Sequence, residues 1–246
     1  MCTISYYPKT DNTGFILTFS RDEMPARSSI DIVNDEKKGI IYPKDTLHGG
    51  TWLAMSKQNG RFTCLLNGAF EQHERRLPYR KSRGLVLLES FEYADIKDFW
   101  LNYDLTNIEP FTMITGQENR FLEFRWDGTI RHSRQIDVKK SKIWSSATLY
   151  NHAMRSQREK KFLQFLTLKK AKTKATDLWQ FHQTPNVEKP ENGILMRRPL
   201  GQPSTVSISQ ITYSFSSQLI DFQYYELGEH NISKHQFSYR KQLLAV

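Results

Sequence analysis

Cys2 directly follows Met1, so loss of the initiator would leave a thiol and a free α-amine on one residue. Nucleophile and general base would then share a carbon skeleton, the arrangement used in N-terminal-nucleophile catalysis. An α-amine titrates near ~7.7–8.0 and a thiol near ~8.5, so a small perturbation poises the pair at neutral pH. The other cysteine, Cys64, sits between Thr63 and Leu65 and reads as a buried apolar thiol. Two cysteines cannot build a disulfide framework.

Other segments carry groups that could serve such a residue. Arg21 would favour the thiolate, and Asp22 or Glu23 would hold or orient the amine. A run of this kind at a strand end is more often a solvated turn. Gly49-Gly50, behind His48, permits close backbone approach to a ligand, where a plain loop is the ordinary alternative. The Asn67 amide with nearby backbone N–H groups has the composition of an oxyanion hole, or simply caps a strand. Ser145, Ser146 and Thr148 precede a predicted helix, where they either donate to a bound anion or cap the elements they join.

Two hairpins must position these groups. Residues 3–7 and 15–20 are β-branched and aromatic runs joined by a turn-rich loop over 8–14. Pairing Tyr7 with Phe15 places Cys2 opposite Ser20 and lets Arg21-Asp22-Glu23 emerge beside the N-terminus; a slip of one residue would change the partner. Residues 51–57 and 61–67 flank Asn59-Gly60, the strongest short hairpin signal. A two-residue turn there pairs Trp52 with Asn67 and brings Gly49-Gly50 to the same sheet end.

Residues 71–83 form a polar loop with Arg75, Arg76, Arg80, Lys81 and Arg83, placed to line a pocket mouth for an anionic substrate or to be solvated. Helices are predicted over 84–91 and 94–102, a strand over 111–115, and a hairpin of 121–125 with 129–134 around Asp127-Gly128. A helix from Asn151, its N-cap, to about Leu168 follows, then a helix over 176–182 and strands over 194–196, 205–213 and 218–225. This order fits an α+β fold of two antiparallel sheets between helical layers. Residues 1–226 are read as one domain, and 227–246 as a polar, peripheral C-terminal extension.

Together, Met1-Cys2, Ser20-Arg21-Asp22-Glu23, Gly49-Gly50-Thr51-Trp52-Leu53, Leu66-Asn67 and Ser145 to Tyr150 resemble the NRDE family, also called the transport and Golgi organisation protein 2 family. The blocks span residues 1 to about 215 in the expected order. Ser20 departs from the Asn that opens the family's name-giving tetrapeptide. The resemblance implies a four-layer αββα sandwich, Ntn-hydrolase-like, with the N-terminal residue on a central strand. It also implies similarity to cysteine N-terminal-nucleophile hydrolases, whose relatives cleave non-peptide amides such as penicillin V and conjugated bile salts. An arginine and an aspartate support the cysteine in those enzymes, at wider spacing than Arg21-Asp22. Cys2, Arg21, Asp22 and Asn67 are thereby the catalytic candidates. Glu23, Gly49, Gly50, Thr51, Trp52, Ser145, Ser146 and Thr148 are the substrate-binding candidates. Members are also implicated in haem trafficking and in lipid or acyl-CoA homeostasis.

Bulk properties narrow the field. The 246 residues suffice for a sizeable core, and no apolar run approaches the ~20 residues of a membrane span. No signal-peptide pattern opens the chain, so a cytoplasmic setting is expected. The net charge of +9 is concentrated in Arg155, Arg158, Lys160, Lys161, Lys169, Lys170, Lys172 and Lys174, opposed there by Glu159 alone. With Phe162, Phe165, Leu166 and Leu168 interleaved, this reads as an amphipathic basic helix. It would attract anionic lipid, acyl-CoA phosphates or nucleic acid, or, as is commoner, pack one face and solvate the other. No nucleic-acid-binding motif and no metal-ligand spacing accompany it. Three functions remain: a hydrolase or acyl transferase acting on linear or cyclic amides, a non-catalytic carrier of haem or an acyl lipid, and a trafficking factor with a vestigial pocket. Only the carrier reading requires a bound group.

Overall fold

Runs of β-branched and aromatic residues place alternate side chains on opposite faces, and the chain uses both faces of every central strand. The structure, a computed structural model, describes residues 2–27, 32–118, 120–169, 173–228 and 230–240. Met1, Lys170, Lys172 and the tail residues 241–246 lie outside them. The strands are β1 (Cys2–Pro8), β2 (Gly14–Glu23), β3 (Ile32–Asp35), β4 (Ile40–Pro43), β5 (Leu53–Ser56), β6 (Phe62–Asn67) and β7 (Phe111–Gln117). They continue as β8 (Arg120–Trp126), β9 (Arg131–Ile136), β10 (Lys142–Ser145), β11 (Ser204–Ser214), β12 (Leu219–Glu226) and β13 (Asn231–Ser238). The helices are α1 (Arg83–Glu89), α2 (Ile96–Asn102), α3 (His152–Lys169) and α4 (Ala175–His182).

All named pairings are antiparallel. One sheet runs β10-β1-β2-β11-β12-β13, and the other runs β3 to β9 in chain order. Ile4, Tyr6, Leu17 and Phe19 meet Leu53, Met55, Cys64 and Ile114 between the sheets. The other face of the second sheet packs Ala54, Leu65 and Met113 on Val86, Phe99 and Trp100 of α1 and α2. The other face of the first packs Tyr7, Ile16 and Ile143 on Phe162, Leu178 and Phe181 of α3 and α4. The result is the αββα sandwich, with β1 inside its sheet between β10 and β2. Tyr6, Phe15, Phe62, Phe121 and Tyr213 close the end of the sandwich remote from Cys2 with stacked and edge-on rings.

Both expected registers shift. Pro8 stays in β1 and pairs with Phe15, so Cys2 lies opposite Arg21 and Thr3 opposite Ser20. The loop over 9–13 allows this: the Lys9 N–H donates to the Gly14 carbonyl at 2.9 Å, and Asp11 accepts from the Thr13 N–H at 3.0 Å. In the second hairpin Leu53 faces Cys64 and Met55 faces Phe62, a shift of two that preserves the faces. A two-residue I′ turn needs positive φ at both positions, and only Gly60, at φ 71, provides it. Ser56 Oγ instead gathers the Gln58 and Asn59 N–H groups into a four-residue loop.

Residues 194–196 are not a strand. Leu195 makes an isolated bridge to Pro185, while Ile194 and Met196 are buried. Residues 231–238, in the expected extension, pair along β12 as an edge strand. Asn151 Oδ1 accepts from the Met154 N–H at 2.9 Å and caps α3. α3 buries Arg158 and Phe162 and leaves Leu163 and Leu168 exposed, so its described part packs one face and solvates the rest. Among the described residues, no helix is long and apolar enough to cross a membrane.

Candidate active site

Cross-strand partners in an antiparallel pair share a face, so the one-residue slip decides which side chain stands beside the thiol. Cys2 and Arg21 both turn toward the second sheet, at the end of the sandwich opposite the aromatic cluster. Arg21-Asp22-Glu23 completes β2 instead of leaving it, and all three residues are buried. The thiol, the guanidinium, Glu23, Gly50, Thr51, Trp52 and Asn67 line one cavity of about 170 Å³.

Arg21 is 3 % exposed and fully engaged. Its guanidinium lies 3.9 Å from the Trp52 ring centroid, donates to the Arg27 carbonyl at 2.6 Å and pairs with Asp45 Oδ2 at 3.3 Å. Asp45 also binds Arg27 Nη2, and its Oδ1 accepts from the Leu47 and His48 N–H groups. Burial alone would raise the Asp45 carboxyl, but Arg27 and Arg21 hold it below the usual carboxylate range. Glu23 pairs with Arg27 at 3.0 Å, and the Met24 N–H and the arginines favour its carboxylate against burial. Across the cavity Arg83 pairs with Glu109 at 3.1 Å, with Arg75 at 3.6 Å from the same carboxylate. Of the predicted pocket-mouth arginines, Arg75 and Arg83 reach the cavity, while Arg80 pairs with Asp104.

Burial pushes the Cys2 thiol above its ordinary value; Asp22 adds to this and Arg21 opposes it. A thiol in that state stays protonated at neutral pH until a base takes its proton. Asn67 sits at the end of β6 on the cavity wall. Its carbonyl accepts from Ser146 Oγ at 2.8 Å, and its side-chain amide bonds to no described residue. The Trp52 indole N–H is buried with no acceptor among the described residues, a polar group still owed a partner.

Asp22 does not line this cavity. It turns to the helix-facing side of the sheet, where its two oxygens accept from Tyr150 Oη and Thr205 Oγ1, both at 2.6 Å. Burial raises its carboxyl, against Arg158 and the two hydroxyls. Arg158, fully buried, stacks 3.7 Å from the Tyr150 ring centroid and donates to Thr3 Oγ1. Asp22 nevertheless raises the Cys2 thiol electrostatically, so the carboxylate lies within electrostatic reach of the start of β1. Gly49, Ser145, Ser146 and Thr148 stand outside the cavity lining. The Ser146 N–H donates to the Cys2 carbonyl at 2.9 Å, tying the end of β10 to the start of β1. Thr51 Oγ1 is committed to the Pro43 and Leu53 carbonyls. Gly50 meets backbone: a Cβ there would fall 2.8 Å from Gly84 C.

Asp45, Arg27, Glu109, Tyr150 and Arg158 complete the surroundings and were not singled out for them by the sequence. The one legible signal was Asp45, whose side chain gathers the next backbone N–H groups as turn-forming aspartates do. Chemically, the arrangement is a buried thiol facing a guanidinium, an amide and an unsatisfied indole donor across a small polar cavity. No curated protein matches the chain. The family model described as Transport and Golgi organisation 2 matches residues 1–229, so the chain belongs to that family.

Proposed function

We propose that the protein is a cysteine N-terminal-nucleophile hydrolase of small non-peptide amides. The observation that carries this reading is the position of Cys2: first residue of an interior strand, directly cross-strand from Arg21, on the wall of a cavity. Once Met1 is removed, the α-amine of Cys2 takes the thiol proton and the thiolate attacks the substrate carbonyl. Arg21 favours the thiolate electrostatically. The oxyanion draws on the Asn67 amide, with the Trp52 N–H as a further free donor. The ammonium returns its proton to the departing amine, leaving a thioester on Sγ. Water, deprotonated by the same amine, then attacks the thioester and restores the thiol with release of the acid. Asp22, on the far face of β2, orients and stabilises the ammonium, and Tyr150 and Thr205 hold that carboxylate in place. Transfer of the acyl group to an acceptor other than water uses the same intermediate.

The cavity favours a compact, polar acyl group. Pockets for drug-sized ligands span ~300–1,000 Å³, and this one, at about 170 Å³, is walled by paired charges. The small volume supports a compact group over a haem or long acyl chain, although Cys2 and His48 are ligand types found on haem iron.

The test is turnover of a panel of small acyl amides. Processed protein should release the amine product, whereas Cys2→Ala and a form carrying two extra residues ahead of Cys2 should not. Equal turnover by the extended form would refute amine participation.

A further inference from the structure

A second recess, of about 240 Å³, opens behind β10, and nothing in the proposed chemistry uses it. Its charge comes from four elements: Arg125 on β8, Arg134 on β9, Lys142 on β10 and Arg155 on α3. Ile143 and Trp144 supply apolar wall.

These cations are not balanced as those around Cys2 are. Glu123, buried beneath them, accepts from Arg125 Nε at 2.8 Å, Arg134 Nη2 at 2.7 Å and Trp144 Nε1 at 2.6 Å. Lys142 Nζ stands off at 3.9 Å from the same carboxylate. Glu159 is the one acid on the wall, and among the described residues it pairs with none of the four. Arg155 makes no ion pair or side-chain hydrogen bond with any described residue, and its Nε is buried without an acceptor. Burial pushes Arg155 down and Arg125 adds to this, with Glu71 and Glu159 opposing. Lys142 is also pushed down by burial and by Arg134 and Arg125, against Glu123. Four cations line the recess against Glu159 on its wall and Glu123 beneath, with Glu71 acting on Arg155 from outside the lining, so positive charge is in excess. Converging like charges with a free guanidinium fork are costly alone and well matched to a multiply charged oxyanion.

We infer that this recess binds a phosphate group, with the Arg155 and Lys142 head groups completing its coordination and Ile143 and Trp144 taking any organic substituent. The site is independent of chemistry at Cys2. It sits one strand away, on the strand whose neighbour Ser146 bonds the Cys2 carbonyl.

Calorimetric titration of the full chain at fixed ionic strength tests this with inorganic phosphate and with phenyl phosphate. Both should bind, and Arg155→Gln should weaken both by about tenfold or more, as loss of a charge-assisted hydrogen bond does. Lys142→Gln should weaken binding in the same direction, and Cys2→Ala should bind like the parent. Tighter binding of phenyl phosphate would assign the recess to an ester, and equal binding would assign it to the free ion. The unliganded Arg155→Gln protein should melt no lower than the parent, since no partner is lost. Absence of binding to the parent, or unchanged affinity in both variants, would overturn the inference.

Discussion

Arg21 is the residue on which the site's electrostatics turn, because it touches the indole, the Asp45 carboxylate and a backbone carbonyl while facing Cys2. Arg21→Met keeps apolar bulk against Trp52 and removes the charge. Asp45 retains Arg27, so the loss should stay below that of a fully orphaned buried charge, at about 2–3 kcal/mol in urea unfolding. The same change removes a group that lowers the thiol's pKa. Alkylation of Cys2 by iodoacetamide should therefore slow at fixed pH, and its rise with pH should move upward. Cys64, fully buried and shifted well upward by burial, should react slowest in both proteins. Faster alkylation of Cys2 in Arg21→Met would contradict this account.

Among elements, the close crossing of the segment before β5 with the start of α1 fixes the cavity wall. The Thr51 N–H bonds the Gly84 carbonyl, and neither Gly50 nor Gly84 has room for a Cβ. Gly50→Ala should cost about 1–3 kcal/mol by overpacking and lower the thermal midpoint. Gly228→Ala, with nothing within 4 Å of the added methyl, should leave it nearly unchanged. Much of this scale was legible in the sequence: the strand runs, the four helices, the Asn151 cap and the layer order followed from periodicity and turn chemistry. Register was not. Whether Pro8 ends a strand or belongs to a loop is undetermined by local pattern, and that one residue moves Arg21 to the thiol's face and Asp22 to the opposite one. β3 and β4 are short strands without a strong alternating signal. Asp45 and Glu109 reach the cavity from connecting segments, where burial depends on tertiary packing. Arg158 looked like one more cation on a basic helix, and the buried acceptors Thr3, Asn192 and Gly193 distinguish it.

At the scale of the whole molecule, the helix layer is pinned to the sheet by His182, buried between Ser5 Oγ at 2.8 Å and Ser20 Oγ at 2.7 Å. Burial, with Arg158 nearby, lowers its pKa to about 3. The unfolded chain thus takes up a proton below the ordinary histidine value while the native state does not, so stability is complete above that value and falls as pH drops toward about 3. From about pH 7 to about pH 5 this one group should cost about 2 kcal/mol, a loss that His182→Gln should lack. Asp22 works in the opposite sense, since its raised carboxyl favours the native state on protonation. Urea midpoints at the two pH values measure the difference, and equal slopes in parent and variant would contradict the assignment. The account as a whole rests on Cys2 acting with its own amine. Mass spectrometry of the intact protein and its N-terminal peptide, quenched in acid during turnover of a small acyl amide, tests that most directly. The prediction is a chain beginning at Cys2 and carrying one acyl group on it, absent from Cys2→Ala. Retained Met1 in active protein, or an acyl group on Cys64, would contradict it.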